Sequence, residues 1–227
     1  MKKVIYIITG GELGDPTFLR ERAASAAPAA LICADGGARH LKAAGMIPTL
    51  IVGDMDSLDR GSQESYGSMG VRIIRHPREK DETDTELALR EAFGMAPDEV
   101  WIWGALGGRI DHALANLSLL VQGIQRGVDI RLIDEWCELF LVTRTRNTVL
   151  DGEEGQTVSF LPFIGEASGV TLTGFEYPLT NAVMAIGRPY GISNVLAARQ
   201  GVIEVDSGCL LAVRYFRPGR FPGEERR

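Results

Sequence analysis

Up to about residue 135, short apolar runs alternate with segments of helical periodicity. Runs at Val4–Ile8, 29–34, 50–52, 71–74, 100–103 and 130–133 each end at glycine, aspartate or a His-Pro pair, and they predict β-strands. Between them, 84–93 and 111–125 carry helical patterns. In the second, Leu117, Leu120, Val121 and Ile124 follow the i, i+3, i+4, i+7 stripe of a buried helix face. Strand–helix alternation of this kind implies a parallel sheet covered on both faces.

After about residue 145 the helical periods stop. Short β-type runs at 157–160, 170–172, 202–205 and 210–215 are separated by Asp151-Gly152, Gly165, Ser168-Gly169 and Asp206-Ser207-Gly208. That spacing predicts an antiparallel sandwich or barrel. The polar, basic stretch 143–148 reads as a linker. The expected organisation is therefore an α/β domain over 1–143 and a β domain over 144–227. The tail from Arg217 reads as frayed and without function.

Of the 227 residues, 45% are hydrophobic and 24% charged, the balance of a soluble globular chain with a sizeable core. The formal net charge of -6 argues against a nucleic-acid partner, which calls for a basic face. It leaves room for a nucleotide, because divalent cations bridge carboxylates to phosphates. Cys33, Cys137 and Cys209 are far apart, each in an apolar run. They are expected as buried thiols of a reducing compartment, without a disulfide or zinc role. Lys2-Lys3 is followed by only five apolar residues before Thr9, too short for a signal-peptide core or a membrane span. No membrane partner and a cytoplasmic location are expected.

Chemistry-bearing residues gather at the carboxyl ends of the predicted strands, where open α/β sheets bind ligands. These stretches are ADGGA (34–38), GDMDS (53–57) and GALGGRIDH (104–112), and the turn after the fourth strand leads into EKDETD (79–84). Asp54 and Asp56, two apart, can reach one ion from an extended chain or a turn. A polar loop in which Asp56 or Ser57 caps a helix is equally open. An apolar strand ending in Asp-x-Asp also resembles the nucleophile loop of haloacid-dehalogenase-type phosphatases.

Thr83-Asp84-Thr85-Glu86 fits a capping box, and Glu86 and Arg90 have i, i+4 pair spacing. Asp81 precedes the cap and has no such explanation, and its neighbour Lys80 suits phosphate. Two carboxylates about 4 Å apart repel by roughly 4 kcal/mol at an effective dielectric near 20. A cap or a helix dipole returns roughly 1 kcal/mol each. Carboxylates from several strand ends brought to one rim therefore call for a divalent cation, and an all-oxygen donor set indicates Mg²⁺. In GALGGRIDH, glycines allow close approach of backbone N–H groups to an anion, and Arg109 can clamp phosphate oxygens. Asp111 either caps the following helix or serves the ligand. His112 is open to both a general-base and a structural role. Neither GxxxxGK[ST] nor a full GxGxxG is present, which excludes Walker and Rossmann nucleotide sites. His40 and His76 receive no role.

Taken in order, ADGGA, GDMDS, EKDETDTELAL (79–89), GALGGRIDH and GISN (191–194) resemble the motif set of thiamine pyrophosphokinases, across nearly the whole chain. The resemblance implies an N-terminal α/β catalytic domain and a C-terminal β-sandwich for thiamine binding and dimerisation. It implies a homodimer with active sites between the catalytic domain of one subunit and the sandwich of the other. The implied reaction uses ATP as co-substrate and Mg²⁺. It moves a pyrophosphoryl group to the hydroxyethyl arm of thiamine, giving thiamine diphosphate and AMP. By the same resemblance, Asp54, Asp56, Asp81 and Asp84 are the metal-binding and catalytic carboxylates, and Asp81 or Asp84 accepts the alcohol proton. Lys80 and Arg109 neutralise the phosphate chain. Asp35, Gly36, Gly37, Gly104, Gly107, Gly108, Arg109, Asp111 and His112 are assigned to the nucleotide. Ser193 and Asn194 are the implied thiamine contacts, with Tyr190 as the aromatic beside them. Two rival readings are a Mg²⁺ phosphohydrolase with Asp54 as nucleophile and a non-catalytic thiamine- or nucleotide-binding module.

Overall fold

The unbroken apolar run at the start of the chain forms β1 (Val4–Ile8), buried at every position. A strand without a solvent face belongs in the middle of a parallel sheet. In the computed structural model, which describes residues 2–146 and 148–222, β1 lies between β2 (Ala30–Ala34) and β5 (Glu99–Trp103), parallel to both. β3 (Leu50–Gly53) and β4 (Arg72–Arg75) continue the sheet beyond β2, and β6 (Asp129–Ile133) continues it beyond β5. The order is β6-β5-β1-β2-β3-β4. The predicted strands are all present, with ends shifted by a residue at most.

Five helices connect them: α1 (Pro16–Ala26), α2 (Ala38–Ala43), α3 (Arg60–Ser68), α4 (Asp84–Gly94) and α5 (Ile110–Arg126). α4 is capped as expected, with Thr83 accepting the Glu86 N–H at 3.2 Å. The expected Glu86–Arg90 pair does not form. Glu86 accepts the Gln122 amide of α5 at 3.2 Å, while Arg90 stands in solvent and pairs with Glu82 at 3.2 Å. The buried face of α5 also differs from the apolar stripe. Asn116, Leu119, Leu120 and Gly123 are buried, whereas Leu117 and Val121 are half-buried and Ile124 is exposed. Gly123 accounts for the roll, because a Cβ there would lie 2.6 Å from the Val128 carbonyl oxygen. Close approach at the smallest residue outweighs the apolar period.

The chain forms two compact units, Met1–Glu135 and Trp136–Arg227, so the division falls ahead of the boundary expected between 143 and 144. The reason is β7 (Cys137–Thr143). It pairs antiparallel with β14 (Cys209–Tyr215) along its whole length, from Cys137↔Tyr215 to Thr143↔Cys209. The expected linker is a tight turn, with Arg146 N–H bonded to Thr143 O at 2.8 Å, before β8 (Thr148–Asp151). Asn147 of that linker and residues 223–227 of the expected tail lie outside the described residues.

The remaining strands are β9 (Thr157–Pro162), β10 (Ala167–Thr173), β11 (Leu179–Met184), β12 (Asn194–Val195) and β13 (Gln200–Glu204). Within this unit they build two antiparallel sheets, β12-β9-β14-β7 and β11-β10-β13-β8. Phe140, Val158, Phe160, Leu172, Ile203 and Leu210 belong to the shared apolar core, each worth about 1.5–3 kcal/mol of burial. Phe160 meets Phe175 edge to face at 5.3 Å. This is the expected sandwich.

Candidate active site

β1 pairs with β2 on one side and β5 on the other, so the sheet reverses its winding between β1 and β5. Ligands of open α/β folds bind at that switch point, beyond the strand carboxyl ends. A cleft of about 640 Å³ opens there, lined by residues of the loops after β1, β2, β3 and β5 and by the segment leading into α4.

Asp35, Asp54 and Asp56 each present a carboxylate oxygen, and the three oxygens lie within 4.8 Å of one another. The backbone gathers them. Asp35 opens a 3-10 turn at φ 39° and Met55 sits at φ 67°, both in the left-handed region that side-chain-bearing residues avoid. Met55 reverses the chain between the two flanking aspartates, and the Asp56 N–H donates to Asp54 Oδ1 at 3.0 Å. Gly53 permits the approach of the two strand ends, because a Cβ there would lie 2.9 Å from Asp35 Cβ.

The Asp35 carboxyl is pushed above the usual carboxylate range. Burial is the largest cause, the Ser57 hydroxyl opposes it, and the charges of Asp84, Asp54 and Asp56 add to it. Oδ1 of Asp35 and Oδ1 of Asp84 are buried and accept no hydrogen bond among the described residues. Lys80 Nζ lies 2.9 Å from Asp84 Oδ1, a close ion pair without hydrogen-bond alignment. The unpartnered Asp35 oxygen within this cluster of three carboxylates belongs to an all-oxygen donor set suited to a hard divalent cation, so these residues fit Mg²⁺.

Two of the expected residues change places. Asp35, expected against the nucleotide, joins the carboxylate group. Asp81 is exposed and is not among the residues lining the cleft. Thr83 caps α4, which turns Asp84 of the first helical turn inward, whereas Asp81 stays on the surface before the cap.

Cations face the carboxylates. Lys80, Arg109, Arg39 and Arg78 line the cleft. Lys80 is nearly buried, at 12% side-chain exposure, and also donates to Pro77 O at 3.2 Å. Arg109 is solvent-exposed and binds Asp111 through Nε at 3.1 Å and through a second nitrogen. That pairing holds the Asp111 carboxyl at about 2. Asp111 occupies the second position of α5 rather than its cap and is not among the cleft-lining residues, whereas His112 is.

The glycine loops interlock. A Cβ on Gly11 would lie 2.2 Å from Gly104 O, and one on Gly107 would lie 2.5 Å from Glu12 Cβ. The N–H groups of Gly10, Gly11, Gly107 and Gly108 have no protein acceptor among the described residues, which leaves them to an anion. Gly36 lines the cleft. Gly37 instead packs beneath β1, where a Cβ would meet Ile8 O at 1.9 Å. His40, without a role in the sequence, places Nε2 at 2.7 Å from Gly11 O and so braces the first loop. Thr9, Arg39, Arg78 and Asn116 also escaped sequence reasoning. Arg39 and Asn116 could have been found by extending ADGGA and the α5 start by one helical turn.

In the sandwich, Ser193 is exposed at φ 58° with its N–H on Ser159 Oγ at 3.0 Å. The Tyr190 ring is 53% exposed while its hydroxyl donates to Val183 O. Asn194 is buried, and its amide spans the backbone of Tyr177, accepting from N at 3.0 Å and donating to O at 2.8 Å. Its side chain is thereby committed to holding the chain rather than offered to a ligand.

The chain matches two family models, the thiamin pyrophosphokinase catalytic domain over residues 23–132 and the thiamin pyrophosphokinase vitamin B1 binding domain over residues 146–210. The thiamine pyrophosphokinase of Bacillus subtilis (strain 168) is 34% identical over 180 residues, 79% of this chain and 84% of that protein. Thiamine pyrophosphokinase 2 of Oryza sativa subsp. japonica is 27% identical over 206 residues, 80% of this chain and 76% of that protein. Among solved structures, a Bacillus subtilis thiamine pyrophosphokinase superposes with TM-score 0.83 at 31% identity, covering 94% of this chain and 99% of that one. A Geobacillus thermodenitrificans thiamin pyrophosphokinase gives TM-score 0.81 at 27% identity, over 96% and 100%. These matches displace the phosphohydrolase reading of Asp54. Both halves of the chain are matched, and a relative above 30% identity covers most of its length, so the residues gathered at the switch point belong to a member of the thiamine pyrophosphokinase family.

Proposed function

We propose that this chain transfers a pyrophosphoryl group from ATP to the hydroxyethyl group of thiamine, releasing thiamine diphosphate and AMP, with Mg²⁺ required. The observation that carries the reading is the clustering of Asp35, Asp54 and Asp56, with Asp35 and Asp54 lining the cleft that also holds Lys80, Arg109 and unpaired glycine N–H groups. Family membership supplies the substrates.

Asp35, Asp54 and Asp56 would hold the cation, with Asp84 aimed at the same cleft. When bound, Mg²⁺ supplies positive charge that offsets the phosphate oxygens and the leaving group. The glycine N–H groups, Lys80, Arg39, Arg78 and Arg109 bind the phosphate chain and fix it for in-line attack. The thiamine hydroxyl oxygen bonds to the β-phosphorus, and the bond from that phosphorus to the α,β-bridging oxygen breaks. AMP leaves with the electron pair. Asp84, which lines the cleft with its Oδ1 beside the Lys80 ammonium, takes the hydroxyl proton.

The first unit is assigned catalysis and the second thiamine binding and dimerisation. The exposed Tyr190 ring and the Ser193 hydroxyl suit an aromatic, cationic substrate. A homodimer is supported by apolar side chains left in solvent, Ile110 and Leu114 on α5 and Tyr177, Val183, Ile186 and Ile192 on the sandwich. The partner's sandwich then brings the thiamine contacts to the cleft. Three buried free thiols suit a cytoplasmic setting. Among the described residues no helix is long and apolar enough to cross a membrane.

Chromatography of a mixture of protein, ATP, thiamine and Mg²⁺ should show AMP and thiamine diphosphate in equal amounts, with neither formed when thiamine or Mg²⁺ is omitted. Phosphate release without thiamine would contradict the reading. Sedimentation should give twice the 24.7 kDa chain mass, and Leu114→Glu should lower it.

A further inference from the structure

The loop after β5 carries the free N–H groups of Gly107 and Gly108 and has glycine at φ 68° (Gly104) and φ 87° (Gly108). Such a segment is soft, and ordering it on binding costs affinity. Something in the protein has to hold its shape beforehand. Among the described residues, two side chains from other elements grip its backbone. Thr9, at the end of β1, donates from Oγ1 to Gly104 O at 2.5 Å. Asn116, on the buried face of α5, donates from Nδ2 to Ala105 O at 3.0 Å.

We propose that Thr9 and Asn116 are positioning residues that preorganise the Gly104–Gly108 phosphate loop by fixing two consecutive carbonyls. In a trans peptide the C=O and the following N–H point in opposite directions. Holding Gly104 O and Ala105 O therefore sets the N–H directions of Ala105 and Leu106 and the point from which Gly107 and Gly108 begin. Both residues are almost fully buried, Thr9 at 4% and Asn116 at 8% exposure; Asn116 stands on α5 and Thr9 directly follows β1. Thr9 is itself pinned by its N–H on Trp103 O at 2.9 Å. The two grips come from different elements, so neither replaces the other. Neither residue needs to touch the reacting atoms.

The inference rests on ATP being the ligand of this loop, and the test separates the two. The full-length protein and the variants Thr9→Val, Asn116→Leu and Thr9→Ser are compared by calorimetric titration with ATP and Mg²⁺ and by separate KM values for ATP and thiamine. Losing one hydrogen bond to the loop should weaken ATP by about fivefold to tenfold in Thr9→Val and in Asn116→Leu. The thiamine KM should stay within about twofold. Thr9→Ser, which keeps the donor, should bind ATP like the wild type. If an apolar variant does not fold, Thr9→Ala or Asn116→Ser takes its place with the same readout. Folded variants that bind ATP normally overturn the inference, and so does a parallel loss of both substrates with falling melting temperature. A wild-type protein that binds no ATP overturns the function proposed above and this inference with it.

Discussion

The carboxylate oxygens of Asp35 and Asp54 come within 4.8 Å of each other although the residues leave different strands, β2 and β3. The neighbouring ladder sets the approach, with Ala34 opposite Val52, and Gly53 allows it. Without a cation, this proximity works against the fold. The Asp35→Asn variant keeps the shape and removes the charge. In chelator-treated protein it should raise the melting temperature by about 2–4 °C, the shift expected from about 1 kcal/mol in a chain of this size. It should also lower turnover by about a hundredfold or more. Calorimetry and an AMP assay on the same preparation check both; unchanged stability would show that the carboxylates do not strain each other.

A second contrast separates the aspartates by position. Asp54→Asn should abolish measurable transfer, about a thousandfold loss, because the residue belongs to the clustered group. Asp81→Asn should cost less than about tenfold, since the residue is exposed and outside the cleft lining. Side-by-side kcat/KM values decide it. Equal losses would mean that the segment before α4 folds inward around substrate.

Much of this was legible because it is local. The strand ends, the Thr83 cap and the glycine loops depend on residues adjacent in sequence. The exchange of Asp35 for Asp81 depends on positive φ at Asp35 and Met55 and on the pairing of β2 with β3, which no local pattern encodes. The rolled face of α5 has the same origin, because the need for glycine at 123 comes from Val128 and Ile130. β7 was missed as a sandwich strand because a continuous apolar run, CELFLVT, does not show which sheet it joins. β11, LTNAVM, has no clean alternation, and half of its residues are exposed at a sheet edge.

Within the sandwich, Asn194 and Ser193 should part company. Asn194→Ala removes the clasp on Tyr177 and should lower stability by about 1–3 kcal/mol. Ser193→Ala should leave the melting temperature within about 1 °C, as surface changes do, and raise the thiamine KM. Thermal melts with thiamine titration distinguish them; a stable Asn194→Ala protein that cannot bind thiamine would restore Asn194 as a direct contact.

Glu99 supplies a pH test away from the cleft. Burial pushes its carboxyl up, but the Lys2 ammonium at 2.5 Å and the Trp101 N–H at 2.9 Å outweigh it, and the net position is below the usual value. A depressed acid contributes stability above its unfolded value and loses it as pH falls through the folded one. The wild-type advantage over Glu99→Gln in melting temperature should therefore be full near neutrality and shrink on acidification through the carboxylate range. A gap that widens towards acid would refute the assignment.

The most direct measurement of the central claim follows two labels in one reaction. ATP carrying distinguishable isotopes on the α- and γ-phosphates is incubated with the protein, thiamine and Mg²⁺, and the products are separated. The account predicts that the α label appears in AMP and the γ label in thiamine diphosphate, one for one. An α label recovered in ADP, or a γ label released as free phosphate, would contradict it.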